Sequence, residues 1–558
     1  MKQQKIFAAI VIGLVITVTT VFAWNRYTQL GPVAVQAPVN TPITNQQLAD
    51  KTKVQTPVPS TTNTKPSVNV PRSTAPAPAL QPTPNAPKQN AIRATVTQEH
   101  TYYPLLTPND PGYPSDWAIQ TVNALPAWNI STGNGQTIVA VIDTGFALNH
   151  EDLQSSWYIN PGETGMTQPG DRCWTGTPQD KSTNNCDDDN DGYVDDWRGW
   201  NFSLGDNNPM AGRTNPNGVA VSHGTETAGL VGAAGNNGLG IATINWNTKI
   251  MPLQALSDDG PGYTSNIAAA IYYAVDKGAN VISMSLGSAT YDPALAAATD
   301  YAYAHNVVVV AAAGNCGTGT EQGCTSLPAG TMSYPALDNH VIAVGATTST
   351  DQRASFSSYG PGLDVVAPGA GTINSPTWTP TNATTLYASS LYGTSFAAPQ
   401  VASLVSLIKS IRPNSSVNDI TAIILGTATK PAAMNGAPYT NEMGEGIINA
   451  GQALTVASSL NSVAATPTLL QAGGAVSEHS YNSSDNLGSG CNVAAGSYCT
   501  IWLHNNNTGF NRFLPYTTAN AQGQTGWSWS GAIIPIGDWQ IEAMQGDYLS
   551  NPYTLSGK

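Results

Sequence analysis

Three side chains in this sequence could together carry out acyl transfer: Ser395 in Gly393-Thr394-Ser395-Phe396-Ala397-Ala398-Pro399, His223 in Ser222-His223-Gly224-Thr225, and Asp143 in Asp143-Thr144-Gly145. A hydroxyl becomes a nucleophile when a neutral imidazole takes its proton, and that imidazole needs a carboxylate to fix its tautomer and stabilise its charged form. The serine also needs donors for the oxyanion that forms on attack at a carbonyl, and the free N–H groups and positive dipole end of a helix start supply them. Read alone, the serine motif has a plainer role, since Gly-Thr-Ser before a helix is also a capping pattern.

The elements that must hold these residues are legible around them. Gln400 to Ile408 is rich in helix formers with apolar residues three and four apart, which predicts a helix with Ser395 in its first turn. Ile138 to Ile142 is a β-branched apolar run that ends in Asp143 and a glycine turn. That is the pattern of a buried parallel strand delivering an acid at its carboxyl end, where open α/β sheets build their sites. Glu226 to Ala233 predicts a small-residue helix opening on His223. Further strands are expected from Lys249 to Ala255, Val281 to Leu286, Val307 to Ala312, Val341 to Gly345 and Asp364 to Ala367, with helices from Thr264 to Lys277 and Pro293 to His305. This alternation predicts an α/β fold, a three-layer sandwich with a mostly parallel central sheet covered on both faces.

The motifs around Asp143, His223 and Ser395, in that chain order, resemble those of the subtilisin-like serine peptidases, or subtilases, from about residue 98 to about residue 455, with Ala313-Gly314-Asn315 in support. The resemblance implies the subtilisin-like fold and a serine endopeptidase. Ser395 would attack, His223 would act as base and then acid, Asp143 would orient the imidazole, and Asn315 with the Ser395 N–H would hold the oxyanion. On its own, Asn315 also reads as a left-handed turn residue after Gly314. Protein or peptide substrates are expected to add as an extended strand along Ser285-Leu286-Gly287. Ala311, Ala312, Ala313 and Gly314 would wall a roomy S1 pocket, which leads to an expected preference for large apolar P1 residues. Two features depart from the family: Glu226 stands where a second His is frequent, and no strand-and-helix pattern for a compact inhibitory prodomain precedes the enzyme region.

The acidic run Asp187-Asp188-Asp189-Asn190-Asp191-Gly192-Tyr193-Val194-Asp195-Asp196 has the opening of a calcium loop, with hard oxygen ligands at alternate positions and a glycine for the turn. Arg198 stands where an EF-hand needs its last glutamate, so a true EF-hand fails. Structural Ca2+ is nevertheless expected at Asp187, Asp189 and Asp191, with Asp195 or Asp196 completing the site, because so dense a run of carboxylates repels itself unless solvated or bound to a cation. By resemblance alone, a second calcium position pairs Asp152 with the Asn236-Asn237-Gly238 turn; Asp152 otherwise caps a helix or turn.

The chain has 558 residues, long enough for more than one ordered unit, and carries 21 Lys plus Arg against 35 Asp plus Glu. A formal charge of -14 speaks against nucleic acid and anionic membrane surfaces as partners. The six cysteines fall into close pairs, Cys173 with Cys186, Cys316 with Cys324 and Cys491 with Cys499. We read three local disulfides and an oxidising compartment; the spacing is wrong for zinc knuckles. Lys2 and Lys5 before the apolar run Ile6 to Ala23 mark residues 1–23 as a signal peptide or, alternatively, a membrane anchor. Residues 24–97 read as a disordered Pro/Thr-rich linker or propeptide, 98–455 as the peptidase domain and 456–558 as a small β-domain. Trp527, Trp529, Trp539 and Tyr548 in that last portion are either core or a binding face. The expectation is a monomeric, secreted or surface-tethered endopeptidase; the competing reading is a silent scaffold that adheres through its β-domain.

Overall fold

The computed structural model describes residues 106–213, 222–321 and 323–460, and beyond them a set of strand segments between 468 and 557. The expectations for residues 1–97 lie outside the described residues. Among the described residues no helix is long and apolar enough to cross a membrane.

The frame is an eight-stranded sheet. Its elements, in chain order, are β1 (Ile138–Asp143), helix α1 (His223–Gly232), β2 (Lys249–Gln254), α2 (Thr264–Asp276), β3 (Val281–Met284), α3 (Pro293–Ala304), β4 (Val308–Ala312), β5 (Val341–Thr348), β6 (Val365–Gly371) and α4 (Thr394–Ile411). Across the sheet the order is Leu391–Tyr392, β6, β5, β4, β3, β1, β2, Trp200–Asn201. All pairings are parallel except that of Leu391–Tyr392 with β6.

Strand periodicity explains why these runs are apolar throughout. Successive side chains point to opposite faces, and here both faces are covered. Val139, Val141, Val308, Val310 and Ala312 join a core with Ala228 and Val231 of α1 and Val401, Leu404 and Ile408 of α4. Their alternates Ala140, Ile142, Val309 and Ala311 join a second core with Ile267 and Ile271 of α2 and Ala298 and Ala302 of α3. The three-layer α/β expectation is met.

Element ends differ where polar partners intervene. β3 stops at Met284, two residues short of the expected Leu286, because the Ser285 hydroxyl donates to the Ser395 carbonyl at 2.7 Å and the Ser285 carbonyl accepts from the Ser395 hydroxyl at 3.4 Å. β5 runs past Gly345 to Thr348 because Thr347 and Thr348 continue the pairing with β6 across a register shift.

In the C-terminal portion, Tyr498–His504 pairs antiparallel with Asp538–Gln545, and Asn486–Asn492 pairs with Trp527–Ser530. Trp502 and Met544 belong to the same apolar core as α1 and α4. The Tyr516 N–H donates to the Gly426 carbonyl at 3.0 Å. The side chains of Trp527, Trp529, Trp539, Tyr548 and Cys491 lie outside the described residues. Cys173–Cys186 and Cys316–Cys324 form as expected, and Cys499 is itself disulfide-bonded.

Gly229 on α1 faces Ser375 and Pro376, and a Cβ there would lie 2.2 Å from Ser375 Oγ and 2.5 Å from Pro376 Cδ. Alanine gains about 1 kcal/mol of helix propensity over glycine, whereas overpacking costs about 1–3 kcal/mol. Because Ser375 Oγ is held by its bond to the Glu226 carbonyl at 2.7 Å, the clash wins. Gly229→Ala is expected to lower the melting temperature; an unchanged or raised value would show that the Ser375–Pro376 strand yields.

Candidate active site

Asp143 ends β1 with its carboxylate fully buried, and three donors converge on it. Oδ1 accepts from the Thr144 N–H at 2.7 Å and lies 2.7 Å from His223 Nδ1, while Oδ2 accepts from the Thr227 hydroxyl at 3.1 Å. With Nδ1 committed to Asp143, Nε2 is the ring atom left for proton exchange. His223 opens α1, and the helix start is locked to the Asp143-Thr144-Gly145 turn by the Gly224 N–H, which donates to Thr144 Oγ1 at 2.8 Å. Position 224 must be glycine, since a Cβ would sit 2.5 Å from the Thr144 carbonyl oxygen.

Ser395 lies in the first turn of α4, as the apolar spacing predicts. The His223 ring sits 5.7 Å, centroid to centroid, from that of Phe396, the residue after the serine. No hydrogen bond joins His223 to Ser395 among the described residues; the hydroxyl turns instead to the Ser285 carbonyl. Asn315 follows β4 and lies exposed, lining one cavity together with Ser395. Its Oδ1 accepts from both the N–H and the hydroxyl of Thr394, each at 3.0 Å, which leaves the Nδ2 amide as the free donor. Thr394, unnoticed in the sequence, thus orients the asparagine.

Two cavities meet along Ser285, Leu286, Gly287 and Ser288. One, of about 600 Å³, is lined by Ala312, Gly314, Asn315, Ser395 and the Cys316–Cys324 loop. The other, of about 670 Å³, is lined by His223, Leu256, Tyr291 and Tyr334. Ser285, Leu286, Gly287, Ala312 and Gly314 therefore line one cleft, whereas Ala311 and Ala313, also expected at the pocket wall, are fully buried behind it. Glu321 is on the rim of the first cavity, where hydrogen bonds from Thr318 and Thr320 outweigh the opposing effect of burial and hold its carboxyl down at about 2.

The acidic loop folds around Asp187, whose Oδ1 accepts from the Asn190 and Asp191 N–H groups and whose Oδ2 accepts from Gly192. Carboxylate oxygens of Asp187, Asp189 and Asp191 lie within 4.8 Å of one another, a set of hard oxygens that fits a calcium ion. Asp195 faces the Asn185 N–H instead, and Asp196 is buried against Tyr273. The expected self-repulsion is partly met from within, since Lys277 Nζ lies 2.5 Å from Asp189 and 2.7 Å from Asp191. Asp152 is fully buried, accepting from Asn237 Nδ2 at 2.8 Å and the Ile241 N–H at 3.0 Å. Asp110 accepts from the N–H groups of Asn236 and Asn237 in the same turn.

With this geometry in view, the chain can be set beside known proteins. The model of the subtilase family matches residues 134–467. Thermitase from Thermoactinomyces vulgaris is 34% identical over 325 residues, covering 58% of this chain and 92% of that protein. An extracellular protease from Xanthomonas campestris pv. campestris is 35% identical over 388 residues, covering 65% of this chain and 59% of the relative. Among solved structures, a protease from Pseudoalteromonas arctica PAMC 21717 aligns at 28% identity over 63% of this chain and 100% of that one, with a TM-score of 0.46.

Electrostatics around the imidazole generate a measurable expectation. Burial works against the charged form of His223, but the Asp143 carboxylate outweighs it and Glu226 adds to it, so the pKa is raised above 6.5. Glu226 is held one turn along α1, its Oε1 accepting from Ser222 Oγ at 2.5 Å and Thr377 Oγ1 at 2.7 Å. A general base must be neutral, so a raised pKa moves the acidic limb of kcat/KM to higher pH. The charged pair correspondingly adds stability below the unfolded histidine value, and this is lost as pH rises through the folded one. Glu226→Gln is expected to shift the acidic limb down by less than about one pH unit, read from kcat/KM against pH; an upward shift would contradict the assignment.

Proposed function

This chain belongs to the subtilase family of serine proteases, and from that premise we propose that it is an exported endopeptidase whose catalytic residues are Asp143, His223, Ser395 and Asn315. The observation that carries the assignment is the 2.7 Å contact between a fully buried Asp143 and His223, beside the helix start that bears Ser395. On substrate binding the Ser395 hydroxyl rotates from the Ser285 carbonyl towards His223 Nε2 and attacks the peptide carbonyl as the imidazole takes its proton. Asp143 fixes the tautomer and stabilises the imidazolium. The Ser395 N–H and Asn315 Nδ2 donate to the developing oxyanion, Nδ2 being aimed by the two bonds from Thr394 to Oδ1. His223 then protonates the leaving amine, and water repeats the sequence on the acyl-enzyme. The extended substrate lies along Ser285, Leu286 and Gly287.

Calcium would be held by Asp187, Asp189 and Asp191, and a second ion by Asp152 with the Asn236–Gly238 turn. Bound there, it supplies positive charge that ties these acidic segments to the body of the fold. Export fits the disulfides and the extracellular protease among the relatives.

Fluorophosphonate labelling of the purified full chain tests the catalytic reading. Labelling is expected in wild type and absent in Ser395→Ala. Asn315→Ala should lose about 10²–10³-fold in turnover while still binding substrate. A folded wild-type sample that refuses the label would leave the scaffold reading standing.

For specificity we propose large apolar P1 residues, given the Ala312 and Gly314 walls, with acidic ones disfavoured by the fixed charge of Glu321. A peptide series varied at P1 is expected to rank Phe and Leu first and Glu last; cleavage mainly after Arg or Lys would overturn the apolar assignment.

A further inference from the structure

Beside the acidic loop lies a buried carboxylate that neither the proposed triad nor the loop position uses. Glu163 is fully buried on the short turn Pro161–Glu163. Its Oε1 accepts from the Asp188 N–H at 2.6 Å and the Asp189 N–H at 3.1 Å, but its Oε2, equally buried, has no hydrogen-bond partner. Oxygens of Glu163, Asp189 and Asp196 all lie within 4.8 Å of one another.

The neighbours do not relieve that oxygen. Asn160 Nδ2 donates to Asp189 Oδ2 at 3.0 Å and to Asp196 Oδ1 at 2.7 Å, and the Tyr273 hydroxyl donates to Asp196 Oδ2 at 2.5 Å. Lys277 Nζ reaches Asp189, Asp191 and Asp196 at 2.5, 2.7 and 3.4 Å, with no bridge to Glu163. One ammonium thus serves three carboxylates, and a fourth ends in the interior on a bare oxygen, which is costly to bury uncompensated. The backbone is shaped to allow this approach. A Cβ at Gly162 would lie 2.4 Å from Asp189 Oδ2, so a larger residue there would drive Asp189 away.

We infer that Glu163, Asp189 and Asp196 form an inner divalent-cation position, distinct from the loop position at Asp187 and Asp191 and joined to it through the shared Asp189. Calcium is the ion that fits. Oxygens up to 4.8 Å apart match ligands at about 2.3–2.6 Å around one centre, and a largely dry, irregular set suits calcium better than magnesium, which keeps its waters and demands an octahedron. Lys277 sets the affinity, because its charge competes with the ion for Asp189 and Asp196.

The test counts ions on the calcium-stripped full chain by equilibrium dialysis and elemental analysis, with thermal melting alongside. Glu163→Gln keeps an oxygen for the Asp188 and Asp189 N–H groups and is expected to bind one calcium fewer than wild type at saturation. Its melting temperature without calcium should equal or exceed that of wild type and rise less when calcium is added. Lys277→Met is expected to bind calcium at least about tenfold more tightly. Equal ion counts in wild type and Glu163→Gln would overturn the proposal and assign a proton to Oε2. Should Glu163→Gln fail to fold, Lys277→Met decides alone: unchanged affinity for calcium, or for terbium followed by its luminescence, rejects the inner position.

Discussion

A carboxylate sealed at the end of a buried strand is the constraint on which the rest of this structure depends. Both faces of the central sheet are covered by helices, so polar chemistry is confined to the strand ends, and Asp143 occupies one of them with no exposure to water. A buried charge is tolerated only when its hydrogen bonds are complete. The Thr144 N–H, the Thr227 hydroxyl and His223 provide them, and two of those three residues belong to α1. The demand for satisfaction at Asp143 therefore fixes where α1 starts, and with it the imidazole. The close approach at Gly224 follows from that same placement.

Much of this frame was legible in the sequence because it is written in local pattern. Unbroken apolar runs such as Ile138 to Ile142 and Val308 to Ala312 announce strands buried on two sides, and the glycine turns after them announce where side chains become available. What escaped the sequence reading is what depends on distant partners. Glu163 lies in Pro161-Gly162-Glu163-Thr164, which carries no motif, and its bonds go to residues 188 and 189 on the far side of the Cys173–Cys186 disulfide. Lys277 reads as an ordinary solvated residue at the end of α2, yet its ammonium enters the acidic loop from another layer. Thr394 was visible only as part of a serine motif, although both of its donors reach back to Asn315.

In the acidic loop a sound electrostatic argument leads to only part of an answer. Clustered carboxylates do require a counter-charge, and the alternation of Asp187, Asp189 and Asp191 before Gly192 pointed to an external ion. The protein meets part of that requirement with Lys277, whose long stem lets the charge travel while the aliphatic portion stays packed. Asp195, placed by sequence register alone, turns to Asn185 because its backbone takes a left-handed conformation, with φ of 54°. The alternation of acids therefore marks where carboxylates gather more dependably than it marks which of them face one another.

Within the cleft, the groups to which the proposed mechanism assigns charge stabilisation and the one it requires to move are held differently. Asp143 is saturated, Asn315 is aimed by Thr394, and Glu226 braces the first turn of α1 against Thr377 and Ser375. In the proposed mechanism these are the preorganised dipoles and charges whose value lies in not having to reorganise as the transition state forms. The Ser395 hydroxyl alone remains uncommitted to His223, held by one long bond to the Ser285 carbonyl. Rotation about a single staggered bond frees it, a change small beside the barrier that the fixed groups lower. The carbonyl thus vacated belongs to the segment where β3 leaves the sheet, so in the proposed mechanism the departure of Ser285 from strand pairing both parks the nucleophile and exposes the edge along which an extended chain would bind.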